Sequence, residues 1–215
     1  MDLGEWLPIY RRIADEFGYD PADDLRAALI LDGLLEDDGG WDDLAAMLRG
    51  ARVVVVGGAL DRGPPGGDVL VSAGGATTAL VERGICPDVM VTDLDGIVED
   101  QVRCSRRGAV AVVHAHGDNI EALERHVPRL EGVVLGTTQV EPFGKLRNVG
   151  GFTDGDRAVM LADALGASGI VLAGFRFDRP GRYSFHRDPA VKVRKLGWAR
   201  EIIAMSRTPV DYGDP

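Results

Sequence analysis

Asp93 and Asp95 close the segment Pro87-Asp88-Val89-Met90-Val91-Thr92-Asp93-Leu94-Asp95-Gly96, so two carboxylates one residue apart follow an apolar run. Side chains alternate along an extended chain, which sends both acids out on the same side and close together. Two such anions repel unless a cation sits between them. Mg²⁺ takes one or two carboxylates and fills its other positions with water and phosphate oxygens, so Asp93 and Asp95 read as metal ligands for a magnesium–nucleoside triphosphate complex. The competing reading is solvated loop acids with Asp95-Gly96 as a turn pair, and it is weaker at a strand end than elsewhere in an Asp-rich chain.

Three further segments end apolar runs in the same way. In Val112-Val113-His114-Ala115-His116-Gly117-Asp118-Asn119, Gly117 permits close backbone approach. Asp118 or Asn119 caps a following helix, either as a plain N-cap or with amides left facing an anion. His114 and His116 lack the third ligand of a zinc site and read as structural or phosphate-facing. In Asn148-Val149-Gly150-Gly151-Phe152-Thr153-Asp154-Gly155-Asp156-Arg157-Ala158, paired glycines lead into a helix with Thr153 and Asp154 at its positive end, where a ligand role competes with a simple turn and cap. Asp156 is expected to face solvent. In Ala173-Gly174-Phe175-Arg176-Phe177-Asp178, an aromatic ring and a guanidinium suit a flat heterocycle and a phosphate, with core packing of one phenylalanine an equal alternative. Lys192, Arg194 and Lys195 are the only compact basic cluster; Lys192 and Lys195 are candidates for triphosphate oxygens, against a solvated helix face. Gly57-Gly58 and Gly74-Gly75 resemble phosphate-cradling turns but match neither Walker A nor G-x-G-x-x-G, which removes most support for the classical nucleotide folds.

The elements that must position these residues follow from texture. Apolar runs at Val53–Val56, Val69–Val71, Val89–Val91, Ala109–Val113, Val133–Leu135 and Ile170–Ala173 each end in glycine or a polar cluster and precede a helical pattern. Continuous rather than alternating runs are buried on both faces, as parallel strands between helix layers are. An α/β fold with a doubly wound, mostly parallel sheet is expected over residues 51–215, with ligands at the carboxyl ends of its strands. Residues 1–50 read as a helical N-terminal section: Trp6, Ile9, Ile13 and Phe17 share one stripe, Leu25, Ala28, Leu29 and Leu35 another after Pro21, and a third helix runs near Asp42 to Leu48. Arg62 to Gly67 is a turn or loop.

Composition narrows the partners. The chain carries 34 acidic against 24 basic residues, a formal charge of −10, with lysine only at 145, 192 and 195. A nonspecific nucleic-acid binder needs a basic footprint, so no nucleic-acid partner is expected. Acid-rich, lysine-poor surfaces suit a high-salt cytoplasm, although a GC-rich genome also favours arginine. No stretch approaches the ~20 apolar residues of a membrane span, and Asp2 and Glu5 stand where a basic leader would begin. A cytoplasmic enzyme without a membrane partner is expected, and a homodimer is left open. Cys86 and Cys104 are too few for a disulfide framework and read as reduced, ordinary thiols.

Taken in order, T-D-L-D-G at 92–96, H-A-H-G-D-N at 114–119, G-G-F-T-D-G-D-R-A at 150–158 and L-A-G-F at 172–175 resemble the archaeal 6-hydroxymethyl-7,8-dihydropterin pyrophosphokinases, the MptE-like family, whose fold is related to thiamin pyrophosphokinase. The resemblance covers roughly Val53 to Met205. It implies transfer of a pyrophosphoryl group from ATP to the hydroxymethyl group of a reduced pterin, leaving AMP, in a pathway to folate or methanopterin cofactors. It makes Asp93 and Asp95 magnesium ligands with Asp118 as a third catalytic acid. Thr153 and Asp154 fall in the family's glycine-rich segment, serving pterin or nucleotide, while the N-terminal helices carry no identifiable chemistry. Thiamin pyrophosphokinase, a nucleotide-sugar-using relative on the same core, and a noncatalytic nucleotide-binding module are the alternatives.

Overall fold

The apolar runs become the strands of one sheet. The computed structural model describes residues 1–185 and 188–213. Its strands are β1 (Arg52–Val56), β2 (Val69–Ala73), β3 (Val89–Thr92), β4 (Val110–Ala115), β5 (Val134–Thr138), β6 (Leu146–Arg147), β7 (Gly169–Ala173) and β8 (Val210–Asp211). Their order is β6-β5-β4-β3-β2-β1-β7-β8, and every neighbouring pair is parallel. The doubly wound parallel architecture is therefore present, and the chain reverses its direction of travel across the sheet between β1 and β7. β6 and β8 were not anticipated, since two residues at a sheet edge carry no readable pattern.

Eight α-helices are described: α1 (Leu3–Phe17), α2 (Pro21–Leu34), α3 (Gly40–Leu48), α4 (Ala76–Val81), α5 (Val98–Ser105), α6 (Ile120–His126), α7 (Asp154–Ala164) and α8 (Pro189–Ile203). They sort onto two faces by the alternation of β1. Val53 and Val55 point to a core shared with Trp6, Ile9 and Ile13 of α1, Leu44 and Leu48 of α3, Val159 of α7 and Ile202 of α8. Val54 and Val56 point the other way, against Ala76, Ala79 and Leu80 of α4. Farther along the second face, α2, α5 and α6 cover Met90, Ala111 and Val113. Burial on both faces is the reason the strands read as unbroken apolar runs.

The helix starts are locally encoded. In α1, Asp2 and Glu5 exchange side-chain bonds with each other's amides, a capping box, and Gly18 closes the helix at φ 70°. In α2 the Asp20 carboxylate caps Ala22 N–H ahead of Pro21. The buried stripe of α2 departs from expectation. It consists of Asp24, Ala27, Ala28 and Leu31, leaving Leu25 and Leu29 exposed. A buried acid in the stripe, tied to three other segments, sets the rotation of this helix against its larger side chains. No helix among the described residues is long and apolar enough to cross a membrane.

Candidate active site

The loops that follow β1, β2, β3, β4, β5 and β7 converge at the carboxyl edge of the sheet, around a cavity of about 740 Å³. Crevices at this edge are where open parallel sheets bind ligands. Lining residues include Gly57, Gly58, Gly74, Gly75, Asp93, Asp95, His116, Gly117, Asp118, Asn119, Thr153, Asp154, Phe175, Arg176, Lys192 and Lys195, so the candidate catalytic and ligand-binding residues from the sequence border it, while Arg194 does not.

Asp93 and Asp95 do converge, but through a turn and not along an extended chain. Leu94 takes φ 63° with its side chain buried, and Gly96 follows at φ 95°. The turn is held by Leu94 N–H donating to Thr92 Oγ1 at 2.9 Å and Asp95 N–H donating to Asp93 Oδ1 at 3.1 Å. A non-glycine residue in the left-handed region costs roughly 1–2 kcal/mol, which burial of the leucine side chain offsets. The third carboxylate is Asp154, the first residue of α7: one oxygen from each of Asp93, Asp95 and Asp154 lies within 4.8 Å of the others. Asp118 is exposed on the 3₁₀ turn Gly117–Asn119 and stands outside this cluster.

The three acids do not share one electrostatic state. Burial works against ionisation of Asp93, but the His116 ring at 3.5 Å and the Asp95 amide outweigh it and hold this carboxyl below the usual range. Asp95 opens onto the confined cavity, and desolvation followed by the Asp93 charge pushes it up to about 7 against the pull of Lys192 and Lys195. Asp154 is raised by burial first and then by Asp93 and Asp95. Its Oδ1 is buried without a hydrogen-bond partner, and Arg157 Nη1 lies 3.6 Å away.

The surrounding segments brace the cluster. Asn119 faces inward and its amide donates to the carbonyls of Asp93 at 2.9 Å and His114 at 2.8 Å, tying the ends of β3 and β4 together. The His116 Nδ1 accepts from Asp118 N–H at 3.3 Å and Asn119 Oδ1 accepts in return from His116 N–H at 3.0 Å, so His116 and Asn119 close a capping box at this turn in which the Asp118 side chain takes no part. Asp156, expected in solvent, is fully buried: it accepts from Phe152 N–H, Thr153 N–H and Thr153 Oγ1–H at 2.6, 2.8 and 2.5 Å. Its place is the capping box of α7, which needs an acceptor at the third helical position. The N–H groups of Gly57 and Gly74 donate to the carbonyls of Ala173 and Val91, extending the sheet ladder. An added Cβ at Gly75 would lie 2.1 Å from Tyr183 O, and one at Gly57 2.7 Å from Gly174 O, so neighbouring backbone accounts for both glycines.

Lys192 and Lys195 of α8 also line the cavity, while Arg194 pairs with Glu16 at 3.6 Å. Lys195 Nζ sits 5.3 Å from the Tyr19 ring and 5.2 Å from the Phe152 ring. Phe175 lies against Gly57 and Gly155, whose added Cβ atoms would each meet its ring at 2.9 Å.

Several residues escaped the sequence reading. Asp24 of α2 is buried and accepts from Tyr10 Oη–H at 2.5 Å, Gln139 Nε2–H at 2.7 Å and Gly117 N–H at 2.8 Å. It joins the N-terminal helices to the loops after β4 and β5. Tyr19, Phe152 and Arg157 also line the cavity. The signal that was available is Asp24 itself, an acid in line with Ala27, Ala28 and Leu31.

Comparisons with known proteins bear on this arrangement. The family described as "6-hydroxymethylpterin diphosphokinase MptE-like" matches residues 67–180. The chain is 44 % identical to the 6-hydroxymethyl-7,8-dihydropterin pyrophosphokinase of Methanothermobacter thermautotrophicus, covering 94 % of each sequence. It is 44 % identical to the protein of that description from Pyrococcus furiosus, covering 94 % of this chain and 93 % of the relative. With that of Methanocaldococcus jannaschii the identity is 34 %, over 94 % of this chain and 95 % of the relative. The chain belongs to the MptE-like family of 6-hydroxymethylpterin diphosphokinases.

Proposed function

We propose that this protein transfers the pyrophosphoryl group of ATP to the hydroxymethyl group of 6-hydroxymethyl-7,8-dihydropterin, giving AMP and the pterin diphosphate, a step toward a folate or methanopterin cofactor. The observation that carries the reading is the cluster of Asp93, Asp95 and Asp154 in a cavity faced by Lys192 and Lys195, in a chain of this family. Mg²⁺ fits the donor set. Three hard oxygen ligands lie within 4.8 Å of one another, two of the acids resist ionising beside the third, and Asp154 Oδ1 lacks a hydrogen-bond donor. When bound, the ion supplies positive charge to triphosphate oxygens.

The chain's own residues do the rest. Pyrophosphoryl transfer asks a protein chiefly to position its reactants and to neutralise developing charge. Lys192 and Lys195 supply fixed positive charge from one element, α8. Arg157 is buried beside Asp154 and limits the repulsion among the acids. His116 holds Asp93 ionised. The hydroxyl oxygen of the acceptor attacks the β-phosphorus and gives up its proton to solvent, the bond from that phosphorus to the oxygen bridging to the α-phosphate breaks, and AMP leaves. Phe175, Tyr19 and Phe152 line the cavity and are the aromatic rings available to a flat heterocycle.

Separation of the nucleotides after incubation with ATP, Mg²⁺ and the dihydropterin tests this. AMP is expected as the nucleotide product. ADP as the main product, or turnover of thiamin at a rate comparable to the pterin, refutes the assignment.

A further inference from the structure

Outside the cavity, the two cysteines of the chain face each other. Cys86 lies in the turn before β3 and Cys104 in the last turn of α5, and their sulfurs are 2.9 Å apart. Both are free thiols. A disulfide has an S–S length of ~2.0 Å, so closure asks the sulfurs to approach by only about 1 Å. Neither residue lines the cavity. The segment between them contains β3, the turn bearing Asp93 and Asp95, and α5. The cysteines sit at the base of this hairpin-like unit and the carboxylates at its tip.

We propose that Cys86 and Cys104 form a redox-active dithiol, a site of reversible covalent modification that closes to a disulfide in the folded protein and staples the β3–α5 unit at its base. The two thiols have unequal surroundings, which divides the work between them. Cys86 is partly exposed and so open to a small oxidant, and Arg107 Nη1 donates to its sulfur at 3.5 Å. Cys104 is fully buried, and burial together with its hydrogen bond to Cys86 pushes its thiol up to about 12. Cys86 is therefore the attacking sulfur and Cys104 the resolving one.

The oxidant is a low-molecular-weight disulfide. The Cys86 thiolate attacks one of its sulfurs, the S–S bond breaks, and one thiolate leaves. Cys104 then gives up its proton and attacks Cys86 Sγ in the mixed disulfide, forming the internal bond and releasing the second thiolate. Two protein thiols are oxidised, one small disulfide is reduced to two thiols, and the two protons pass to the released thiolates.

The test uses the full-length folded protein treated with glutathione disulfide, then alkylated and mapped by mass spectrometry. The expected product is a Cys86–Cys104 bridge within one chain, reversible by a dithiol reductant. A crosslink across a loop of this length constrains the unfolded chain, and the midpoint of thermal unfolding should rise by about 5 °C or more. In Cys104→Ser the mixed disulfide at Cys86 should persist, whereas Cys86→Ser should acquire no adduct while folded. Both variants should turn over like the reduced parent, since neither position borders the cavity. Retention of both thiols, a stable glutathione adduct on the parent, or a bridge only between two chains would overturn the dithiol. A bridge that leaves the unfolding midpoint unchanged would overturn the staple.

Discussion

Asp93 and Asp95 are the same side chain two positions apart, yet their surroundings push them in opposite directions. The difference makes pH a probe of the cluster. A proton on Asp95 must leave before the carboxylate can ligate a cation, so Mg²⁺ affinity measured by calorimetry should rise as pH increases through about 7, with the raised Asp154 adding to the rise. An affinity independent of pH between 5 and 8 would exclude Asp95 as a ligand. The folded protein without metal keeps the Asp95 proton from the ordinary value of 3.8 to about 7, whereas the unfolded chain has lost it. The folded form thus binds more protons in that window, and this group's contribution to stability declines as pH rises through it. Asp95→Asn should consequently melt no lower than the parent at pH 8 in the absence of metal, while its turnover falls. Asn at position 93, 95 or 154 should each reduce turnover on the order of 10²-fold or more, the scale for removing one charge-stabilising group. Rates near the parent's at saturating Mg²⁺ would remove that residue from the site. The D-x-D pair was legible because its two members are sequence neighbours at the end of an apolar run. Asp154 as their companion was not, because nothing local records that the loop before α7 returns to the end of β3.

At the scale of elements, the capping box of α7 decides where Asp154 stands. Asp156 accepts three hydrogen bonds from Phe152 and Thr153 while fully buried, and so fixes the chain just before the helix. Asp156→Ala leaves two partly buried N–H groups without an acceptor, at a cost of up to about 1–3 kcal/mol each when unrelieved by water, on top of the lost cap. A fall in stability of roughly 2–4 kcal/mol in denaturant unfolding is expected, with turnover reduced because Asp154 loses its footing. Unchanged stability would show that the box is dispensable. The start of this helix was readable from Gly150-Gly151 and Thr153, but the burial of Asp156 was missed because an acid in an acid-rich chain reads as solvated. Its spacing from Thr153 fits a box, yet whether the box faces solvent depends on what covers α7. Here Gly151 takes φ 99° against the Arg157 backbone, so the loop folds over the first turn of the helix and covers Asp156. The tight turn at Leu94 was hidden for a related reason: leucine carries no preference for a positive φ, and its burial together with the bonds to Thr92 and Asp93 holds it there.

Across the whole molecule, the strands were legible as a class because burial on both faces leaves no alternation to misread, whereas the contribution of residues 1–50 was not. Their stripes predicted helices that cover something. What they cover is the same core as the strands, with Trp6, Ile13, Trp41, Leu44 and Leu48 all buried alongside Val53, Val55 and Leu172. Two polar links then connect these helices to the cavity. The Trp6 indole donates to the Gln139 carbonyl at 2.9 Å, and Asp24 receives Gln139, Gly117 and Tyr10. No motif announces this, since a single buried acid on a helix has no sequence signature beyond its company. The consequence is measurable. Asp24→Ala removes the acceptor of a partly buried N–H, a buried amide and a buried hydroxyl at once, so stability should drop by about 3 kcal/mol or more. The loop carrying His116 and Asn119 should loosen with it, and turnover should fall even though Asp24 has no free oxygen to offer a ligand. Asp24→Asn keeps one acceptor and the shape of the side chain, and should recover part of both losses. Amide hydrogen exchange separates this from a direct role at the site: in Asp24→Ala the residues 114–119 and 137–140 should exchange faster. Protection equal to the parent's there, together with lost activity, would instead place Asp24 among the groups that touch substrate.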